Sequence, residues 1–273
     1  MKDSRSHFSI RVATLKRLLM WHYLNQRYDL VLVSEFPKSG GTWFSMMLAE
    51  LLGVPFPRNQ SAKLERCLLH GHYQYHKNFH RTLCVLRDGR DIMVSAYYHF
   101  LFEHDRNPPF TVKKWREKLV FSDYDDIQNN LPRFIEHMFT KSFQLTGNVS
   151  GGVVTWSDFV RGYINNEAAH VVKYENLLLQ PVKELREAIR FIDIDGKTIP
   201  EIDIETTVSR YSFKNQTNRN PGDEDTAHFI RKGIAGDWKN HFTSESIEVF
   251  KFYGGDELVL AGYEEDKNWR GII

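Results

Sequence analysis

The chain is poor in cysteine. Its 273 residues include only Cys67 and Cys84, which excludes a disulfide framework and offers no paired spacing for a structural metal. A reducing, cytoplasmic setting is expected. It also lacks charge of one sign: 36 Lys and Arg stand against 35 Asp and Glu, a net charge of +1. No global field favours nucleic acid, so any anion site must be local. Long apolar runs are missing as well. None approaches the roughly 20 residues needed to cross a bilayer, and the N-terminus has no signal-peptide core with a small-residue cleavage site. Instead, Lys2, Arg5, Arg11, Lys16, Arg17 and Arg27 face only Asp3 before residue 28, interspersed with Phe8, Ile10, Val12, Leu15, Leu18, Leu19 and Trp21. Residues 1–28 read as a basic, amphipathic helical segment packing on a main domain of residues 29–273, with peripheral membrane contact as the alternative. No repeat or low-complexity tract is visible.

What is present is a globular mixture, 41% hydrophobic and 14% aromatic, with strand and helix patterns in alternation. Leu30–Phe36, Thr82–Leu86 and His170–Lys173 are short apolar or β-branched runs. Helical periodicity covers Phe44–Leu52, Asp91–Phe102, Leu131–Thr140, Trp156–Asn165 and Val182–Ile192. The alternation predicts a single α/β domain with a central parallel sheet flanked by helices, whose ligands sit beyond the carboxyl ends of the strands. Arg106–Tyr124, rich in Pro and charge, reads as a long surface loop. Gly147–Gly152 reads as a turn, and Asn215–Asp225 as a mobile loop or lid.

The stretch LVLVSEFPKSGGTW, Leu30 to Trp43, is a strand, a small-residue loop and a helix start. Such a turn aims backbone N–H groups and the positive end of a helix dipole at one point, where a phosphate or other compact anion binds. Lys38 adds a cation, Ser39 and Thr42 add hydroxyls, and Gly40 and Gly41 permit a tight turn. It is P-loop-like without being the nucleotide P-loop, because Lys38 precedes the glycines. Taken alone, a strand-to-helix turn of ordinary small residues fits it equally well.

Two further stretches carry cations beside turns. In VLRDGRDIMVSAYYHF, Arg87 follows a strand, Asp88-Gly89 turns, Asp91 is an N-cap candidate and Ser95 adds a hydroxyl. In HFIRKGIAGDWKNHFT, Arg231 and Lys232 adjoin Gly233. Surface ion pairing is the plain alternative for each. Between these stretches lie His70, His72, His76 and His80. The i, i+4 pair His72 and His76 has metal-site spacing, but no partnering Glu or Cys pair accompanies it, and Gly71 and the aromatics disfavour a helix. One of these histidines beside an anion loop suits a general base at neutral pH.

Together these motifs resemble the sulfotransferase family that uses 3′-phosphoadenosine 5′-phosphosulfate (PAPS), closest to its cytosolic type. PKSGGTW is similar to the family's phosphosulfate loop, usually PKSGTTW. RDGRDIMVSAYYHF is similar to its 3′-phosphate motif, and RKGIAGDWKNHFT to its C-terminal RKGxxGDWKNxFT signature. The resemblance implies that Lys38, Ser39, Gly40, Gly41, Thr42 and Trp43 hold the 5′-phosphosulfate. It assigns the 3′-phosphate to Arg87, Ser95, Arg231, Lys232 and Gly233, and the adenosine side to Trp43, Tyr174, Ser212, Phe213, Phe229 and Ile230.

It further implies in-line sulfuryl transfer to a hydroxyl or amine of a small-molecule, lipid or sugar acceptor, with PAP as product and no metal. Lys38 then stabilises the leaving oxygen, and His72 is the base with His70 as fallback. His70 replaces the family's usual lysine, and Gly41 its usual threonine. Tyr97, Tyr98, Phe100, Phe102 and Trp115 either line an acceptor pocket or are core. Lys239, Thr243 and Glu248 match the dimer segment KxxxTVxxxE except for Ser244 at the valine; a homodimer is compatible with this, as is an ordinary helix start capped by Thr243. A P-loop nucleotide kinase and a catalytically impaired nucleotide-binding module are the competing readings.

Overall fold

The computed structural model describes residues 7–58, 60–141, 154–192 and 199–270. Helix α1 (His7–Leu19) runs on into a π-helical turn at Met20–Leu24. Then follow β1 (Val31–Glu35), α2 (Gly41–Leu52), β2 (Leu68–Gly71), β3 (Thr82–Leu86), α3 (Gly89–Leu101), α4 (Pro109–Lys118), α5 (Ile127–Thr140) and α6 (Trp156–Tyr163). The rest are β4 (Ala169–Lys173), α7 (Tyr174–Leu179), α8 (Pro181–Ile192), α9 (Glu201–Arg210), α10 (Phe213–Thr217), a 3₁₀ turn at Asp237–Asn240, and α11 (Ser244–Leu260).

The four strands form one parallel sheet in the order β2-β1-β3-β4. Every residue of β1 and β3 is buried, as expected where helices cover both faces. The pleat sorts their side chains. Val31, Val33, Leu83 and Val85 join Phe44, Met47, Leu48, Leu185 and Ala188 of α2 and α8 in one core. Cys84 and Leu86 face the other, built from Phe134, Trp156, Phe159, Tyr163 and Phe250 of α5, α6 and α11. A third cluster, Met20, Trp21, Leu32, Leu69, Tyr73 and Phe79, seats the end of the N-terminal helix.

Several expectations change. β2 has no counterpart among the predicted strands: it is short, half apolar and ends in His-Gly, so only its pairing with β1 defines it. Arg106–Tyr124 is not a long loop but contains α4. Pro109 stands in the first helical turn, where its missing N–H is not needed, and Val112 and Leu119 are buried. The N-cap of α3 is Asp88, whose carboxylate accepts from the Arg90 N–H at 2.9 Å. Asp91, the expected cap, lies inside the helix. Asn215, Gln216 and Thr217, expected in a loop or lid, belong to α10. Tyr97 is fully buried, and Tyr98, Phe100, Phe102 and Trp115 pack on the same core. Thr243 caps α11 by accepting the Ser246 N–H. The turn expected at Gly147–Gly152 lies outside the described residues. Among the described residues, no helix is long and apolar enough to cross a membrane.

Candidate active site

At the carboxyl end of β1 the chain turns through Lys38 (φ 76°) and Gly40 (φ 92°) into α2. Both are left-handed conformations, which glycine adopts freely and lysine rarely, so the strain at Lys38 is held by its surroundings. A Cβ on Gly40 would meet the Tyr174 ring at 2.7 Å. The N-cap residue Gly40 has no side chain to offer α2, and the first N–H of the helix, at Gly41, goes to the Glu35 carboxylate. The Ser39 hydroxyl is buried and has no hydrogen-bond partner. A buried, unpartnered donor at a helix N-terminus is what an anion-binding turn provides.

Register brings the histidines to this loop. β2 pairs with β1 so that Val33 stands beside His70 and Ser34 beside Gly71. Past the pair, the Ser34 hydroxyl donates to the Tyr73 carbonyl at 2.7 Å and accepts the Tyr73 N–H at 3.1 Å. The Tyr163 hydroxyl also donates to that carbonyl, at 2.7 Å. His72 is thereby fixed beside Glu35, and its Nδ1 lies 3.1 Å from the Glu35 carbonyl. A carbonyl only accepts, so Nδ1 carries the proton and Nε2 keeps its lone pair. Burial pushes the His72 pKa below its ordinary value, with the neighbouring His70 adding to this and Glu35 opposing it. The ring is therefore neutral near pH 7.

Glu35 is the residue that motif reading missed. It is 4% exposed and sits behind the loop. Its carboxylate accepts the Gly41 N–H at 2.6 Å and lies 2.8 Å from His70 Nε2. Burial by itself would raise the Glu35 pKa. The hydrogen bond and charge of His70, with help from His72 and the Gly41 N–H, hold it below the ordinary carboxylate value instead. A Cβ on Gly41 would lie 2.7 Å from the Glu35 carboxyl carbon and 3.0 Å from His70 Nε2. Gly41 and His70 are therefore not separate departures from a motif. The carboxylate fills the space a larger residue 41 would take, and His70 partners it. The one sequence signal was a buried-strand position occupied by an acid.

Lys38 extends its Nζ over the Phe229 ring, 4.2 Å from the centroid. Burial lowers its pKa to about 7, opposed by Glu35 and reinforced by Arg87, Arg106 and Arg231. Lys38, Ser95, Tyr98, His99, Phe229 and Arg231 line one small cavity. Its walls are short of negative charge, and Lys38 and His104 add to the burial that holds His99 neutral.

Arg87 joins the motifs. It is 8% exposed. Nη1 donates to the Lys38 carbonyl at 3.3 Å, Nη2 to the Ile234 carbonyl at 3.2 Å and to Asp91 at 3.4 Å, and Nε has no partner. Its guanidinium lies 4.4 Å from the Tyr174 ring centroid. Asp91 accepts the N–H groups of Gly236 and Trp238 at 2.7 and 2.9 Å, tying α3 to the C-terminal basic turn. Arg231 and Lys232 both pair with Glu224 and with the buried Asp237. Gly233 (φ 67°) stands against the Phe213 ring. Trp43 donates from its indole to the Tyr211 carbonyl at 2.8 Å and meets Tyr174 edge-on. Ser212 caps α10, accepting the Asn215 N–H, and Ile230 accepts from Arg219. The loop, Arg87, Ser95, Tyr174, Phe229 and the basic turn thus converge. Thr42 belongs to the first turn of α2, Ser212 and Phe213 to the start of α10, and none of Thr42, Ser212, Phe213 and Ile230 lines the small cavity.

Residues 69–258 match the family described as sulfotransferase domain. The chain is 26% identical to sulfotransferase 1B1 of Mus musculus, covering 81% of this chain and 79% of that protein. It is 27% identical to sulfotransferase 1A1 of Canis lupus familiaris, covering 81% of each. In fold it is similar to mouse sulfotransferase SULT7A1 complexed with PAP, with a TM-score of 0.58 and 18% identity over 93% of this chain and 94% of that one. A retinol dehydratase in complex with androsterone and the inactive cofactor PAP gives a TM-score of 0.57 and 17% identity, over 95% and 87%. With the family match spanning more than half its length, the chain belongs to the sulfotransferase domain family.

Proposed function

We propose that this protein moves a sulfuryl group from PAPS to a hydroxyl or amine of a small-molecule, lipid or sugar acceptor and releases PAP, in the cytoplasm. The residues present fit such a donor. The unpartnered Ser39 hydroxyl and the first turn of α2 past Gly41 suit one anionic end. Arg87, Ser95 and the Arg231–Gly233 turn suit a second, separate phosphate. Trp43 and Tyr174 supply aromatic walls between them. When bound, PAPS supplies an activated sulfuryl group on a good leaving oxygen. Lys38 offers its cation where negative charge grows on that oxygen. His72 Nε2, unprotonated and beside the loop, accepts the proton of the attacking group. Glu35 keeps this base oriented through its carbonyl and engages His70 through its carboxylate.

The observation that carries the reading is Arg87. One buried cation touches the Lys38 loop, and its partner Asp91 holds the backbone of the RKGIAGDW turn, so all three motifs meet, which supports a site for two anions there. The test is calorimetric titration with PAP alongside transfer from labelled PAPS to an acceptor panel. The wild type should bind PAP and transfer sulfate. His72→Ala should keep PAP affinity while losing roughly 10²–10⁴-fold in turnover. A wild type that ignores PAP and instead binds ATP with Mg²⁺ would refute the reading in favour of a nucleotide kinase. PAP binding without turnover on any acceptor would favour the catalytically impaired module.

A further inference from the structure

A helix lying on a globular domain normally turns its polar face outward. Helix α1 does not. Ala13, Met20 and Trp21 are buried on its inner side, and Trp21 packs against Tyr73 and Phe79 at centroid distances of 4.3 and 5.8 Å. On its outer side Val12, Leu15, Leu19 and Tyr23 are 48, 59, 47 and 72% exposed. Their spacing of three, four and four residues places them on one stripe along the axis. Single exposed apolar residues are ordinary, but an aligned row of four is a surface made to be covered.

Charge decides what covers it. Residues 1–28 carry six Lys or Arg against one Asp, including Lys16 between Leu15 and Leu19, and the exposed Arg27 just past Tyr23. A second copy docking stripe to stripe would set these cations against their own equivalents. An anionic surface attracts them, and a lipid surface also accepts the apolar row. The helix is firmly attached: the Asn25 amide donates to the Trp21 and Asn78 carbonyls at 2.7 and 3.0 Å. A docked α1 therefore orients the whole domain. Tyr73, which receives Trp21, directly follows His72 in the chain.

We propose that α1, with the π-helical turn that continues it, is a peripheral membrane anchor. Its Val12, Leu15, Leu19 and Tyr23 enter the interfacial region of an anionic bilayer, and its basic residues pair with lipid headgroups. The docking is independent of which acceptor the site uses.

Cosedimentation with vesicles tests it, using the full chain and either phosphatidylcholine alone or phosphatidylcholine mixed with phosphatidylserine. The wild type should sediment with the anionic vesicles and lose most of its binding in high salt. Leu15→Asp/Leu19→Asp should weaken binding more than about tenfold, and Lys16→Glu/Arg27→Glu about tenfold or more. Circular dichroism and PAP binding should match the wild type in both variants. Wild-type protein left in the supernatant, or variants that bind as well as it does, would overturn the proposal. So would a stripe-dependent dimer in light scattering with no vesicle binding.

Discussion

Gly41→Thr puts back the side chain usual at this loop position, and the structure says it should fail alone and succeed with a second change. The added Cβ falls 2.7 Å from the Glu35 carboxyl carbon, 2.9 Å from its Oε2 and 3.0 Å from His70 Nε2, all nearer than van der Waals contact. Residues pinned on both sides cannot yield, because Glu35 is held by the Gly41 N–H and by His70. Overpacking of this kind costs about 1–3 kcal/mol. Displacing a hydrogen bond to a charged group adds about 1.5–3 kcal/mol. The single variant should therefore lose several kcal/mol, read as a melting temperature lower by very roughly 10 °C for a chain of this size. Glu35→Ala alone also destabilises, since it strands the Gly41 N–H and His70. In the double variant the threonine enters the space the carboxylate left, so the penalties do not add. Urea unfolding of the four proteins closes the cycle, and a favourable coupling of at least about 1.5 kcal/mol is expected for groups in contact. PAP titration should follow the same order, with the double variant binding better than Gly41→Thr alone. Additive losses in both measurements would refute the view that Gly41 is dictated by Glu35.

Other expectations concern charge. As the proposed base His72 has to be neutral, and burial lowers its pKa, so the acid limb of kcat/KM should lie below the ordinary histidine value of 6.5. In the proposed reaction Lys38 is charged to hold the donor, and burial lowers its pKa to about 7. kcat/KM for the donor should therefore fall as pH rises past neutrality, and Lys38→Arg should remove that alkaline limb; a profile flat through neutrality would contradict the assignment. Asp91→Ala leaves two backbone N–H groups and Arg87 short of a partner, so urea unfolding should show a loss of about 3–5 kcal/mol, with weaker PAP binding by calorimetry. Burial would raise the Asp237 pKa, but His241, Lys232 and Arg231 reverse this and hold it well below the ordinary carboxylate range. A depressed folded-state pKa gives stability that is present above the unfolded value of 3.8 and lost as pH falls. The stability gap between wild type and Asp237→Asn should then be full near neutrality and shrink below about pH 4; a gap that stays constant into acid would count against it.

The sequence by itself determined the parallel α/β plan, because short buried strands and periodic helices alternate and each period is local. It marked the three cation-bearing turns too, since glycines, a lysine and arginines at turns are read within a few residues. Thr82–Leu86 was legible to the residue. β2 was not, because Leu68–Gly71 is a strand only by virtue of its parallel pairing with Val31–Ser34. The same pairing delivers His70 and His72 to Glu35, from more than thirty residues away in sequence. Asp91 looked like a cap and proved to be the clasp on Gly236 and Trp238, a role that exists only when α3 meets the C-terminal turn. Gly41 shows the division most plainly. Its lack of a side chain is visible in the sequence, but the reason is a buried carboxylate across the loop. Van der Waals exclusion and hydrogen bonding act between neighbours in space, and tertiary structure alone decides which residues those are.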